Sequence, residues 1–197
     1  MSHYFENDVN LKSNKRQLKL YINDNVLSFV SDSGVFSNTQ IDYGSFTFLK
    51  TLLELENVNS NLDVGCGYGV LGITLKYFGK CQNVTMVDIN PKAVSLCQEN
   101  INYYSLDNIS CFISDGFNEV NSSYDQIVIN PPIRAGKAVI YKMFEDSVKH
   151  LNENGSLYIV IKKNLGANSA ITKLSELFKK VEVLKKDKGY FIIKATN

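Results

Sequence analysis

The spacing of apolar positions changes repeatedly along the chain. Leu18-Lys19-Leu20-Tyr21-Ile22 and Val26-Leu27-Ser28-Phe29-Val30 alternate at period two around Asn23-Asp24-Asn25, which predicts a hairpin. From Ser45 to Leu55 the spacing turns helical, with Phe46, Leu49, Leu52 and Leu53 on one face. Beyond it, short apolar runs and helix-period segments alternate: strand 61–65, helix 70–79, strand 83–88, helix 91–104, strands 109–113 and 125–130, helix 137–151, strand 155–162 and helix 168–180. Pro91 behind Asn90 reads as a first-turn proline after an N-cap. Val181-Glu182-Val183-Leu184 and Tyr190-Phe191-Ile192-Ile193 flank Lys185-Lys186-Asp187-Lys188-Gly189, too short for a crossover helix. They predict a closing hairpin with one antiparallel strand at the sheet edge.

This order predicts an α/β fold: a Rossmann-like, mostly parallel seven-stranded sheet with helices on both faces, an antiparallel C-terminal hairpin and a small N-terminal β-hairpin extension. One domain is expected over 1–197, with the extension and its loop in 1–42 and the core in 43–197. Ligands of such sheets sit beyond the carboxyl ends of the strands, at the switch point.

A chain of 197 residues with 44% hydrophobic and 21% charged residues can bury a core, which excludes disorder as the default. No apolar run approaches the roughly 20 residues of a membrane span, and the polar start, Met1 to Asp8, does not resemble a signal peptide. A cytoplasmic protein without membrane partners is expected. Cys66, Cys81, Cys97 and Cys111 lack the paired spacing of zinc thiolates and read as reduced spectator thiols. With His3 and His150 also lone, no metal is expected. A net charge of +1 excludes nucleic-acid binding by bulk charge alone. Lysines and arginines nevertheless cluster at Lys12, Lys15, Arg16 and Lys19, at Arg134 and Lys137, and at Lys162-Lys163, Lys179-Lys180 and Lys185-Lys186-Lys188.

Three motifs fall where the fold places ligands. Leu62-Asp63-Val64-Gly65-Cys66-Gly67-Tyr68-Gly69 is a strand entering a glycine loop that opens a helix, and Asp88-Ile89 closes the next strand. Gly67-x-Gly69-x-x-Gly72 also satisfies the dinucleotide fingerprint. Asp63 separates the two readings, because a carboxylate there repels a pyrophosphate but suits the cationic S-adenosyl-L-methionine. Asp88 can accept ribose hydroxyls, and Asp115-Gly116 after the third strand can reach an adenine edge. Asn130-Pro131-Pro132-Ile133 ends the fourth strand. An exocyclic amine on a heteroaromatic ring is a poor nucleophile, because its lone pair is delocalised. The Asn130 side-chain oxygen and the Pro131 carbonyl can each accept one N–H and turn the lone pair towards a methyl group. Proline stiffens that loop, and asparagine avoids a second buried charge.

Asp63 to Gly69, Asp88 and Asn130 to Ile133 resemble class I S-adenosylmethionine-dependent methyltransferases of the small-domain family. Ser33-Gly34-Val35-Phe36-Ser37, Ile41-Asp42-Tyr43-Gly44-Ser45 and Asn130 to Lys137 are similar to the single-domain branch of its small-subunit (16S) ribosomal RNA guanine-N2 methyltransferases. The resemblance implies that Asp63, Gly65, Cys66, Gly67, Gly69, Asp88, Ile89, Asp115, Gly116 and Asn130 bind cofactor. It implies that Asn130, Pro131, Pro132 and Ile133 hold the target amine, with ribosomal RNA or the small subunit as partner. Arg134 and Lys137 are natural phosphate contacts at the mouth. Better-studied bacterial relatives add a second, degenerate domain that helps engage RNA; the resemblance here is to the catalytic type. Amino-methylating enzymes often place an aromatic residue where Ile133 stands, so another side chain must cover a flipped-out base, with Phe36 and Phe117 as candidates. Three other functions stay open on the residues alone: methylation of a protein glutamine amide, a non-catalytic cofactor- and RNA-binding module, and a nicotinamide-dependent oxidoreductase.

Overall fold

The computed structural model describes residues 12–197; His3 lies outside them. Strands β1 (Arg16–Ile22) and β2 (Asn25–Ser31) form the N-terminal hairpin. Its turn is shorter than the sequence suggests: Asn23 and Asp24 alone turn the chain at φ 47° and 60°, and Asn25 already pairs with Ile22. Two successive left-handed residues match the twist of the flanking strands. Helix α1 (Tyr43–Leu53) starts before the apolar periodicity does, because the Asp42 carboxylate accepts from the Ser45 N–H and caps it.

The core follows as β3 (Val58–Val64), α2 (Val70–Tyr77), β4 (Cys81–Asp88), α3 (Pro91–Tyr104), β5 (Ile109–Ile113), β6 (Tyr124–Ile129), α4 (Lys137–Lys149), β7 (Leu151–Lys162), α5 (Ala167–Leu177), β8 (Lys180–Asp187) and β9 (Tyr190–Thr196). Helix α3 has the bounds its sequence predicts. Asn90 accepts from the Lys92 N–H and Pro91 occupies the first turn.

The seven-stranded sheet runs β5-β4-β3-β6-β7-β9-β8. Strands β3 to β7 are parallel, and β9 is antiparallel to both of its neighbours. The antiparallel strand therefore lies one position in from the edge, not at it, and β8 forms the edge. The hairpin turn contracts to Lys188-Gly189, at φ 42° and 82°, and Lys185, Lys186 and Asp187 join β8. Apolar content explains the order: Phe191, Ile192, Ile193 and Ala195 of β9 are buried, whereas β8 is no more than half-buried.

Helices α1, α2 and α3 cover one face of the sheet, and α4 and α5 the other. The N-terminal hairpin belongs to the first layer: Leu18, Leu20, Ile22, Leu27 and Phe29 join the cluster that contains Phe48, Leu75 and Cys97. No helix among the described residues is long and apolar enough to cross a membrane.

Candidate active site

The glycine loop leaves β3 between two backbone anchors. The Gly65 and Cys66 amides donate to the Val87 carbonyl at 2.8 and 3.0 Å, and the Gly67 amide donates to Asp88 Oδ2 at 2.8 Å. Gly65, Gly67 and Gly69 hold φ of 74°, 58° and 91°, a region that L side chains rarely adopt. They differ in what they face. A Cβ on Gly65 or Gly67 would meet nothing within 4 Å, whereas one on Gly69 would lie 2.7 Å from Ile73 Cδ1 and 2.8 Å from Cys97 Sγ. The first two line an open cradle, and the third lets the loop pack on the core.

Asp63 lies beneath the loop with no exposure to solvent. One carboxylate oxygen accepts from the Gly72 amide at 3.0 Å, which caps α2, where Gly69 offers no side chain. The other oxygen has no partner among the described residues. Burial pushes the Asp63 carboxyl up to about 8, although the Gly72 N–H acts in the opposite direction. A buried acid with one orphaned oxygen beneath the loop suits a cationic ligand through its field, without lining the cradle itself. Asp88 is also raised by burial, against the pull of the Asn90 and Gly67 amides. Each of its bonded oxygens retains a lone pair for a hydroxyl.

Ile89, next in the chain, is 40% exposed despite being a large apolar residue, so it offers a face to a flat ring. The Ser114 amide donates to the Asp88 carbonyl, and the Ser114 hydroxyl donates to the Gly116 carbonyl, which folds Asp115 and Gly116 beside Asp88. These residues can hold S-adenosylmethionine: the cradle is open, and the donors and acceptors match an amino acid and a nucleoside.

On the neighbouring strand, Asn130 follows Ile129, which pairs through β6 with Val64 of β3. The Asn130 side-chain amide donates to Ser45 Oγ at 2.9 Å, which leaves its oxygen as the acceptor. The Pro132 carbonyl accepts from the Ala135 amide at 2.9 Å and closes a 3₁₀ turn, Ile133–Ala135, while no described residue donates to the Pro131 carbonyl. Two acceptors, Asn130 Oδ1 and the Pro131 carbonyl, thus share a stiff loop beside the cradle. Ile133 is half-buried and packs into the core below α4, so it holds the loop in place. Arg134 and Lys137 are exposed on the rim.

Phe36 is 57% exposed, on a loop tied to Asn90 and Tyr68 beside the glycine loop and the end of β4. Asn90 Nδ2 donates to the Gly34 carbonyl at 3.1 Å and the Tyr68 hydroxyl to the Ser37 carbonyl at 3.2 Å. Phe117, in contrast, is buried and stacks on His150 with ring centroids 5.1 Å apart, so it is core and covers no base.

Ser45, which fixes the Asn130 amide, carries no sequence signal beyond its place in Tyr43-Gly44-Ser45. The cysteines also hold a surprise: Sγ atoms of Cys66, Cys97 and Cys111, far apart in sequence, lie within 4.8 Å of one another in the core. The neighbouring Cys111 sulfur raises the Cys66 and Cys97 thiols, and burial adds to it. The same contacts lower the Cys111 thiol, so the cluster favours at most one thiolate shared among three sulfurs, since more negative charge beside Asp63 and Asp88 would have to be buried in an apolar core.

The family model for the methyltransferase small domain matches residues 26–194. The chain belongs to that family. It is 44% identical to the Bacillus subtilis protein YbxB over 195 residues, covering 98% of this chain and 97% of YbxB. It is 33% identical over 168 residues to ribosomal RNA small subunit methyltransferase C of Aeromonas hydrophila, covering 83% of this chain and 47% of that protein. This small-domain methyltransferase thus spans about half the length of the ribosomal RNA methyltransferases it matches. Among solved structures, the Thermus thermophilus 16S rRNA N2 G1207 methyltransferase (RsmC), in complex with AdoMet and guanosine, superposes with a TM-score of 0.83 at 25% identity, over 95% of this chain and 52% of that one. A Lactobacillus delbrueckii ribosomal protein L11 methylase, at a TM-score of 0.65 and 17% identity, shares the fold.

Proposed function

We propose that this small-domain methyltransferase transfers a methyl group from S-adenosylmethionine to the exocyclic 2-amino group of a guanine in small-subunit ribosomal RNA, and so works in the cytoplasm. The observation that carries the reading is the pair of uncommitted acceptors, Asn130 Oδ1 and the Pro131 carbonyl, beside an open glycine cradle. The likeness to ribosomal RNA small subunit methyltransferase C and to the guanosine-bound RsmC supports guanine over other amines.

When bound, the cofactor would lie along Gly65 and Gly67, with the field of Asp63 beneath the loop favouring its cationic amino acid end, its ribose hydroxyls within reach of Asp88, and its adenine held by Ile89 with Asp115-Gly116. S-Adenosylmethionine supplies a methyl group made electrophilic by a positive sulfur. The chain's own part is orientation: Ser45 fixes the Asn130 amide, so that Oδ1 and the Pro131 carbonyl each accept one N–H of the target amine. With both hydrogens held, the nitrogen lone pair points to the incoming methyl; as the N–C bond forms the S–C bond breaks and leaves neutral S-adenosylhomocysteine, and the methylated, now acidic nitrogen then gives one proton to solvent, so no strong base is needed beforehand. Phe36, the exposed aromatic of the loop tied to Asn90 and Tyr68, covers the base face that Ile133 leaves bare.

The deciding experiment is transfer of labelled methyl to small subunits and to ribosomal RNA from cells that lack the protein, followed by nucleoside analysis. Label in 2-methylguanosine is expected, with at least roughly a 100-fold loss in Asn130→Ala, since holding the amine contributes on that scale. Label in protein, or equal transfer by the variant, would overturn the reading.

A further inference from the structure

Beyond the pocket, the carboxyl end of the sheet carries cations and aromatic rings arranged together. Ile129 pairs with Ile159, so Lys162 lies one strand over from Asn130 and two residues beyond its level, opposite Tyr190 of β9. That is a lateral step of about 4.8 Å and a forward step of about 7 Å. Lys162 Nζ stands 5.6 Å over the Tyr190 ring, and Lys188 Nζ, from the hairpin turn, stands 4.5 Å over Tyr43. The two tyrosine rings lie 6.1 Å apart. The Lys163 amide ties the turn to the end of β7 by donating to the Gly189 carbonyl at 2.7 Å.

This cluster is joined to the catalytic loop through the first turn of α1. A Cβ on Gly44 would lie 2.7 Å from Tyr190 Cε1, so the ring rests against bare backbone, and the next residue, Ser45, holds Asn130. Among the described residues no carboxylate pairs with Lys162, Lys163, Lys185, Lys186 or Lys188. The nearest acid in sequence, Asp187, accepts from the Tyr43 hydroxyl at 2.8 Å. The surface presents positive charge at the lip of the site, over two half-buried tyrosine rings.

We infer that Lys162, Lys163, Lys188, Tyr43 and Tyr190 form the track for the single-stranded RNA that flanks the methylated base, which rests on the proposed RNA substrate. Phosphates require cations without carboxylate partners, and unpaired bases require flat faces; a lysine that turns from its ring to a phosphate bares that face for a base, so one cluster supplies both. An acidic peptide would use the lysines and leave the tyrosines idle. Until RNA arrives the cation–π contacts keep the ammonium groups on the rings, and binding exchanges each such contact for one to phosphate and one to a base.

The test is the triple variant Lys162→Ala/Lys163→Ala/Lys188→Ala, with Tyr190→Leu separately, assayed on an RNA that the wild type methylates. For the triple variant, KM for RNA is expected to rise at least tenfold at unchanged kcat and cofactor affinity. The slope of log K against log salt should become shallower by about 2, because each phosphate neutralised on a single strand accounts for about 0.7 of that slope. Tyr190→Leu should weaken RNA binding without changing that slope. Unchanged KM and slope in the triple variant, on RNA methylated normally by the wild type, would overturn the track and leave the guanine reading intact. Failure of the wild type on every RNA, with KM for a protein acceptor shifting in the triple variant, would overturn both.

Discussion

Asp63 shows how one residue can link cofactor binding to pH. Its carboxyl is pushed from 3.8 to about 8, first by burial, so between about pH 4 and pH 8 the folded chain keeps a proton that the unfolded chain has lost. The stability contribution is full below the unfolded value and is lost as pH rises through 8. Denaturation of the cofactor-free protein from pH 5 to 8 should show this fall, and Asp63→Asn should remove it. A cation held in the cradle above this acid favours its ionised form, so binding near pH 7 should release a proton. Calorimetry in buffers of different ionisation heat measures that release, and equal release by Asp63→Asn would refute the coupling. The glycines divide in a similar way. Gly69→Ala meets Ile73 and Cys97 as well as a φ of 91°, and should destabilise the fold by more than about 2 kcal/mol. Gly67→Ala meets open space, so it should cost about 1–2 kcal/mol of backbone strain yet abolish cofactor binding. Thermal melts with and without S-adenosylmethionine separate the two.

At the level of elements, the loop between β2 and α1 is anchored at its root by Asp32. Against the push of burial, hydrogen bonds from Ser13, Asn14, Lys92 and Ser33 hold this carboxyl far below the usual range. Its contribution is therefore present above about pH 4 and lost as pH falls towards the folded value. Phe36, further along the same loop, is free of the core. Phe36→Ala should leave stability within about 0.5 kcal/mol while raising KM for the acceptor, a split that steady-state kinetics reads directly. Much of this is legible in the sequence where the signal is local: α3 is bounded by Asn90 and Pro91, β5 by its apolar run, the glycine loop by its spacing. What escapes is non-local. Periodicity extends α5 as far as Lys180, yet that residue opens β8, because pairing with Thr196 outweighs local preference. Strand β7 begins at Leu151, ahead of the expected residue 155, through an irregular register opposite Tyr124. Asn130 and the glycines announce chemistry, but the Ser45 contact and the sulfur cluster arise only when segments tens of residues apart meet.

Across the whole molecule, the N-terminal hairpin and the cofactor loop are held by one side chain. Asn100 of α3 is 1% exposed; its oxygen accepts from the Val30 amide at 2.7 Å, and its Nδ2 donates to the Val30 carbonyl at 3.0 Å and the Tyr68 carbonyl at 2.8 Å. The Tyr104 hydroxyl continues the seam one turn later, accepting from the Ser28 amide and donating to its carbonyl. Phe29 lies between, with its ring centroid 6.3 Å from that of Tyr68 and 6.1 Å from that of Tyr104. A side chain that satisfies one buried and two part-buried backbone groups cannot be replaced by an apolar one without leaving them unpaired, at about 1–3 kcal/mol for each group that water does not reach. Asn100→Leu should therefore lower stability by at least about 2 kcal/mol. Because Tyr68 sits between Gly67 and Gly69, it should also weaken S-adenosylmethionine binding, although residue 100 touches no cofactor. Tyr104→Phe supplies the contrast: it loosens the same seam without reaching the glycine loop, so stability should fall while cofactor affinity holds. Equal loss of affinity in both variants would mean that hairpin docking as a whole, and not the bond to Tyr68, sets the shape of the cradle.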